Sequence, residues 1–336
     1  AGRSKYSPVS EESLEECHYK GGKDMVSHYV NNNPDTKLFT GKSLSVGGAL
    51  EKEPLHPKGI ARAGDVSAVI MHNLPIWVQF VRTPSLETAL MSDWEAKIER
   101  MARETMDENV TSIAGVPTWT IVLLQRILEL KKASHILEVW PNLEVFFHGA
   151  VAFGPYRNLF KQLIPSETMR YMETYNASEG FFGMQDQPDS DELLLLLDYG
   201  IFYEFIPFTP QNFDEDGNLS SKPSALPYQK IENGKEYALL ISTCSGAWRY
   251  LIGDVIRIVS KDEAEIVITG RTKHFLSLCG EHLSVDNMNK AIELVAEEMN
   301  LTIKEFTVLG IPYRSLFAHH WYIGTDDEVD MKALRK

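Results

Sequence analysis

Between Met172 and Gly180 the chain reads Met-Glu-Thr-Tyr-Asn-Ala-Ser-Glu-Gly, a strand-like run that breaks into small and polar residues before a glycine. The break puts an aromatic ring, a hydroxyl and a carboxylate on one tight turn, where backbone groups can also approach a ligand closely. Tyr175 offers a flat face to a base and Ser178 a donor to a phosphate oxygen. Glu179 supplies a hard oxygen for Mg2+, which favours carboxylates and keeps several of its waters. Such a set suits a metal-bound nucleotide. The same residues also compose an ordinary surface loop after a buried strand, so the reading depends on what accompanies them.

Four further segments accompany them. In Trp248-Arg249-Tyr250-Leu251-Ile252-Gly253-Asp254, Gly253 breaks an apolar run just before an acid, and an acid at a strand edge can accept both hydroxyls of a ribose. A plain Gly-Asp turn between two strands is the alternative. Thr269-Gly270-Arg271-Thr272-Lys273 closes a β-rich stretch and opens a new pattern, the place of a hinge or of a solvated linker. His148-Gly149-Ala150-Val151 forms a turn upstream of Tyr175, and Gly2-Arg3-Ser4-Lys5 ends in a lysine that could be a phosphate ligand or a frayed terminus. The ten histidines show no HExxH or paired-ligand spacing, and neither a GxSxG elbow nor a full Walker loop is present, which removes the obvious hydrolase and P-loop readings.

The elements that must position these segments follow from periodicity. Ser10 caps a helix with Glu11 and Glu12 in its first turn, which Gly21 and Gly22 should weaken in the middle. Leu38 to Val46 reads as a strand. Leu90, Trp94, Ile98 and Met101 line one face of a helix over Glu87 to Met106. A repeating beat follows: strand Val110–Ala114, turn Gly115-Val116-Pro117, helix with Trp119, Val122, Leu123, Ile127 and Leu130 on one face; strand Leu143–Phe147, turn His148-Gly149-Ala150, helix opened by Pro155; then the strand at Met172. Strand, turn, helix, strand marks crossover units of a mostly parallel sheet, whose ligand sites lie beyond the carboxyl ends of the strands. Past Gly180 the runs Leu193–Leu197, Ile201–Ile206, Tyr237–Thr243, Val255–Val259 and Glu265–Thr269 predict a second, β-rich sheet, with Thr209–Gln229 as a solvated loop open to disorder or proteolysis. Beyond Gly270, Val285, Met288, Ile292, Val295 and Met299 give a helical stripe, followed by strands at Phe306–Ile311 and His320–Ile323. The fold class expected is α/β: a large lobe (1–272) with a mostly parallel sheet plus a β-rich subdomain, then the start of a small α+β lobe (273–336).

Composition narrows the partners. With 33 Lys and Arg against 47 Asp and Glu, the net charge of −14 sets the chain against a nucleic-acid partner. Leu193 to Leu197, the most apolar run, is far too short to span a bilayer. Cys17, Cys244 and Cys279 have no CxxC spacing, which fits a reducing compartment. Residues 1–5 carry no signal-peptide core and both ends read as cut, so the expectation is a piece of a longer cytoplasmic chain, monomeric by default.

The motif at Tyr175 resembles Tyr-x-x-Ser-Glu-Gly of the acyl-adenylate-forming superfamily, in particular the auxin-responsive family of acyl acid amido synthetases. All five segments occur in that family's order. The resemblance implies a two-step ligase: ATP and Mg2+ activate a small carboxylic acid as its acyl-adenylate with release of pyrophosphate, and the amine of an amino acid then displaces AMP. It assigns Lys5 and Ser178 to the phosphates and Glu179 to Mg2+. Tyr175, with Asn176 and Ala177 beside it, goes to the base, Gly149 and Ala150 to the adenine edge, and Asp254 and Arg271 to the ribose. Arg249 falls within the Tyr-Arg-x-x-x-Gly-Asp-x-Val segment. It also implies a pivot near His274, between Arg271 and Leu283, with Gly280-Glu281-His282 downstream matching the segment that follows it. Trp119 and the Gly115-Val116-Pro117 turn fall where the superfamily keeps its acyl pocket, although a core tryptophan accounts for Trp119 as well. Two alternatives stay open: an acyl-CoA ligase, with a thiol as acceptor, and a nucleotide-binding module without turnover.

Overall fold

Twelve strands form one continuous sheet in the computed structural model, which describes residues 6–52, 62–151, 153–187, 190–214, 217–273, 275–276, 283–299, 301, 303–313, 316–325, 327 and 329. Five strands are parallel and lie in the spatial order Arg82–Thr83, Lys42–Val46, Val110–Gly115, Val145–Gly149 and Arg170–Ala177. The remaining seven are antiparallel, running through Gly180–Met184, Leu193–Leu195, Glu265–Arg271, Tyr250–Ser260, Glu236–Thr243, Ile201–Pro207 and Leu226–Pro227. The α/β class holds. The separate second sheet does not form: the β-rich stretch is the antiparallel half of the same sheet, because the Arg170–Ala177 strand turns straight back into Gly180–Met184 and extends the ladder without a crossover.

Each half has its own core. On the parallel half the helices Trp94–Thr105, Pro117–Lys131 and Gly154–Leu163 cover the strands, with Leu44, Val110, Ile113, Trp140, Phe146 and Phe160 buried among them. Pro117 stands in the first turn of its helix, where its missing N–H costs nothing, and Lys132 ends that helix in the left-handed region (φ 54°). That helix lies deeper than its predicted stripe, since Ile121 and Leu124 are fully buried together with Leu123 and Ile127. Each such side chain contributes roughly 1.5–3 kcal/mol. The antiparallel half curls around Tyr175, Phe182, Leu195, Tyr203, Phe205, Leu239, Ile256 and Ile266.

The N-terminal helical stretch runs unbroken from Glu11 to Asn32, with a π-helical segment at Leu14–Tyr19. Gly21 does not interrupt it: a Cβ there would lie 2.7 Å from the Phe181 ring, so the glycine lets the helix press onto the start of the Gly180–Met184 strand. Cys17 supports the same contact, its Sγ accepting from the Phe181 N–H at 3.1 Å. The Thr209–Gln229 insert is pinned among its described residues, with Phe213 buried beside Ile206, Ala238 and Leu240. Asn212 adds to this by donating to the Pro207 carbonyl and accepting from the Ser224 N–H. After Arg271 come the helix Val285–Met299 and the antiparallel pair Ile303–Tyr313 and Leu316–Thr325, with Phe317 set edge-on against Tyr156.

Candidate nucleotide site

The carboxyl ends of the parallel strands lie side by side, with Gly115 opposite His148 and Gly149 opposite Thr174, so the turns that follow them open on one side of the sheet. Ser178 and Glu179 form the two-residue loop of the hairpin that Ala177 and Gly180 close. Ser178 is exposed and Glu179 half-buried, and neither side chain has a protein partner among the described residues. A carboxylate so placed can take a cation that completes its shell with water and phosphate oxygens. Just behind the turn, Asn176 Oδ1 and both ring nitrogens of His18 are buried. Burial lowers the His18 pKa to about 4, opposed by its neighbour Asn176, and keeps the ring neutral.

Asp254 meets two distant residues. Tyr175 donates its hydroxyl to Asp254 Oδ2 at 2.6 Å across 79 positions of sequence, and Arg271 Nε lies 3.0 Å from Asp254 Oδ1. Arg271 also donates to the Ile252 carbonyl at 3.3 Å, and the Thr272 N–H to the Gly253 carbonyl at 2.7 Å. Gly253 itself takes φ +92°, a conformation glycine adopts without strain. The expected grouping of Asp254 with Arg271 therefore forms. The open aromatic face expected at Tyr175 does not: the ring is only 7% exposed, packs 5.0 Å from Phe182, and points its hydroxyl at the acid. Burial, then the Asp254 charge, pushes the phenol pKa well up, so it remains a donor.

Gly149 admits no side chain, since a Cβ would sit 2.4 Å from the Thr174 carbonyl oxygen, and Ala150 is held at φ +71°. Beside them His148 is buried and stacked 4.1 Å from Phe153, its pKa lowered to about 3 by burial and by Arg157. Arg249 is not brought to Asp254; its guanidinium forms a two-pronged pair at 2.8 and 3.0 Å with Glu204 of the Ile201–Pro207 strand. Lys5, His274 and Gly280-Glu281-His282 lie outside the described residues.

A cavity of about 380 Å³ opens at the ends of the Lys42–Val46 and Val110–Gly115 strands, with Met91, Trp94, Trp119 and Val122 as its apolar wall and Asp65 and Lys97 as its charged groups. Trp119 is thus a wall residue, tilted against Trp94 at 5.4 Å. Lys97 is buried, donates to the Gly47 and Gly48 carbonyls at 2.7 and 2.8 Å, and has its pKa lowered to about 8 by burial, with Asp65 opposing. One signal in the sequence marks it: Lys97 falls inside the Trp94, Ile98, Met101 stripe.

Solved structures with this fold include an acyl acid amido synthetase and a CoA ligase. The chain superposes on the GH3.15 acyl acid amido synthetase with a TM-score of 0.62 at 14% identity, covering 97% of this chain and 67% of that one. On a 2-hydroxyisobutyryl-CoA ligase the TM-score is 0.56 at 10% identity, over 96% and 60%. At such identities the likeness defines the fold. The chain belongs to the GH3 family: the GH3 family N-terminal domain matches residues 1–169 and the GH3 family central domain residues 194–270. It is 28% identical over 176 residues to the indole-3-acetic acid-amido synthetase GH3.4 of Arabidopsis thaliana, covering 48% of this chain and 28% of the relative. With GH3.15 of the same plant it shares 21% over 294 residues, 83% of this chain and 47% of the relative. These matches take in less than half of either relative's length, and the resemblance read from the motifs is borne out at the level of family.

Proposed function

We propose that the chain is the nucleotide- and acid-binding part of an acyl acid amido synthetase, with residues 1–272 as the large lobe and 273–336 as the start of a small one. The observation that carries this reading is the Asp254 carboxylate, held by Arg271 and Tyr175 in a chain of this family. Its two oxygens provide about four acceptor positions; Tyr175 takes one by a hydrogen bond and Arg271 pairs with the other oxygen as an ion, so each oxygen can still accept one ribose hydroxyl. From Tyr175 to Ser178 the strand advances roughly 10 Å, a span that separates a ribose from the terminal phosphates. Ser178 then donates to a phosphate oxygen, and Lys5 belongs with it by motif. The adenine edge lies along Gly149 and Ala150.

Mg2+, when bound, neutralises charge on the transferring phosphates. Glu179, half-buried and without a side-chain partner among the described residues, fits it as a ligand. The carboxylate of the substrate acid attacks the α-phosphorus and pyrophosphate leaves; an amino-acid amine then attacks the acyl carbonyl and AMP leaves. The protein's share is to hold the reactants in line and to supply fixed charge. The cavity between Trp94 and Trp119 supports an apolar acid as first substrate. ATP–pyrophosphate exchange by the full-length protein with a panel of carboxylic acids tests the first step, and product analysis with amino acids against coenzyme A tests the second. Exchange that no acid stimulates would refute the reading, and thioester in place of amide would refute its acceptor.

A further inference from the structure

We infer that Tyr175 is a positioning residue for Asp254, acting through its hydroxyl and not through its ring face. The inference rests on the ligase reading above and concerns how the ribose is recognised. Three observations carry it. The ring is walled in by the apolar core of the antiparallel half, against Phe182 and with Tyr203 in the same cluster, and has no open face. The hydroxyl donates to Asp254 Oδ2 at 2.6 Å and so fixes the carboxylate plane, while the Arg271 guanidinium pairs with Oδ1 as an ion at 3.0 Å. Both strands are bulged beside this contact, between Tyr175 and Asn176 and between Val255 and Ile256, and bulges re-aim side chains next to binding sites.

A carboxylate hydrogen-bonded at one oxygen and ion-paired at the other presents its remaining lone pairs in one orientation, which suits a cis-diol. Recognition of the two ribose hydroxyls therefore depends on a donor that never touches the nucleotide. Tyr175→Phe removes one oxygen and leaves the ring's packing in place. Tyr203→Phe is its control, because the Tyr203 hydroxyl is buried in the same cluster with no hydrogen-bond partner among the described residues.

The test is equilibrium binding of ATP and of 2′,3′-dideoxy-ATP to the full-length protein, together with pyrophosphate exchange. The parent should favour ATP at least about tenfold. In Tyr175→Phe that preference should fall to about threefold or less through weaker ATP binding, with affinity for the dideoxy nucleotide unchanged and kcat at saturating ATP nearly parental. Tyr203→Phe should keep the parental preference, and in an Asp254→Ala background Tyr175→Phe should change nothing further. A Tyr175→Phe variant with the full preference for ATP would overturn the inference and leave the ligase reading standing. A parent that binds neither nucleotide would overturn both.

Discussion

Asp254 is reached by residues from two other parts of the chain, and that convergence makes its substitution informative. Asp254→Ala removes the acceptor but leaves Tyr175 and Arg271 in place. Since ribose contacts are similar in ground and transition states, the loss should appear in the ATP KM more than in kcat. A loss on the order of 1–3 kcal/mol, typical of charged hydrogen bonds, corresponds to a rise in KM of roughly 5- to 150-fold; an unchanged KM would reduce Gly253-Asp254 to a turn. Buried His148 gives a second residue-scale expectation. Its folded pKa of about 3 lies below the ordinary 6.5, so only the unfolded chain takes up the proton as pH falls from 6.5 toward 3. Stability is therefore unaffected by this group above pH 6.5 and lost below it, by on the order of 2 kcal/mol at pH 5. Melts at pH 7 and pH 5 should show the drop in the parent and a smaller one in His148→Phe. Equal drops would place the acid sensitivity elsewhere.

At the scale of elements, the two adjacent glycines of the first helix separate cleanly. A Cβ at Gly21 would meet three atoms of the Phe181 ring at 2.7 to 3.0 Å, whereas one at Gly22 would meet nothing within 4 Å. Gly22→Ala should raise stability by about 0.5–1 kcal/mol through helix propensity. Gly21→Ala gains the same propensity but crowds the ring, with overpacking costs of typically 1–3 kcal/mol, and should lower the melting temperature; a rise in both variants would contradict the packing described. Sequence periodicity located the crossover units well, because apolar spacing and Pro at the first helical turn are local signals. It read Gly21 as a weakness and Lys97 not at all, because the reasons for both sit on distant segments: the Phe181 ring in one case, the Gly47 and Gly48 carbonyls in the other. The second sheet was misread for a similar reason. Runs of β-branched residues mark strands but not their neighbours, and here a two-residue loop at Ser178-Glu179 joins the halves.

Across the whole molecule, the strands bearing Tyr175 and Asp254 are separated by three others in the sheet. Four steps of about 4.8 Å would put them roughly 19 Å apart in a flat sheet, yet their side chains are in hydrogen-bond contact. The antiparallel half must therefore curl on itself, and the curl brings the candidate ribose acid over the strand that ends in Ser178-Glu179. Motif order placed Asp254 with Arg271, but no linear pattern could reveal that Tyr175 would face them from below. The central proposal is that this assembly activates a carboxylic acid with Glu179 as a ligand for Mg2+. Its most direct test is Mg2+-dependent ATP–pyrophosphate exchange, with and without an active acid, in the full-length parent and in Glu179→Gln. Acid-stimulated exchange is expected in the parent, with a loss of at least about a hundredfold in the variant at a parental melting temperature, since an amide lacks the anionic oxygen Mg2+ prefers. Near-parental exchange in folded Glu179→Gln would contradict the proposal.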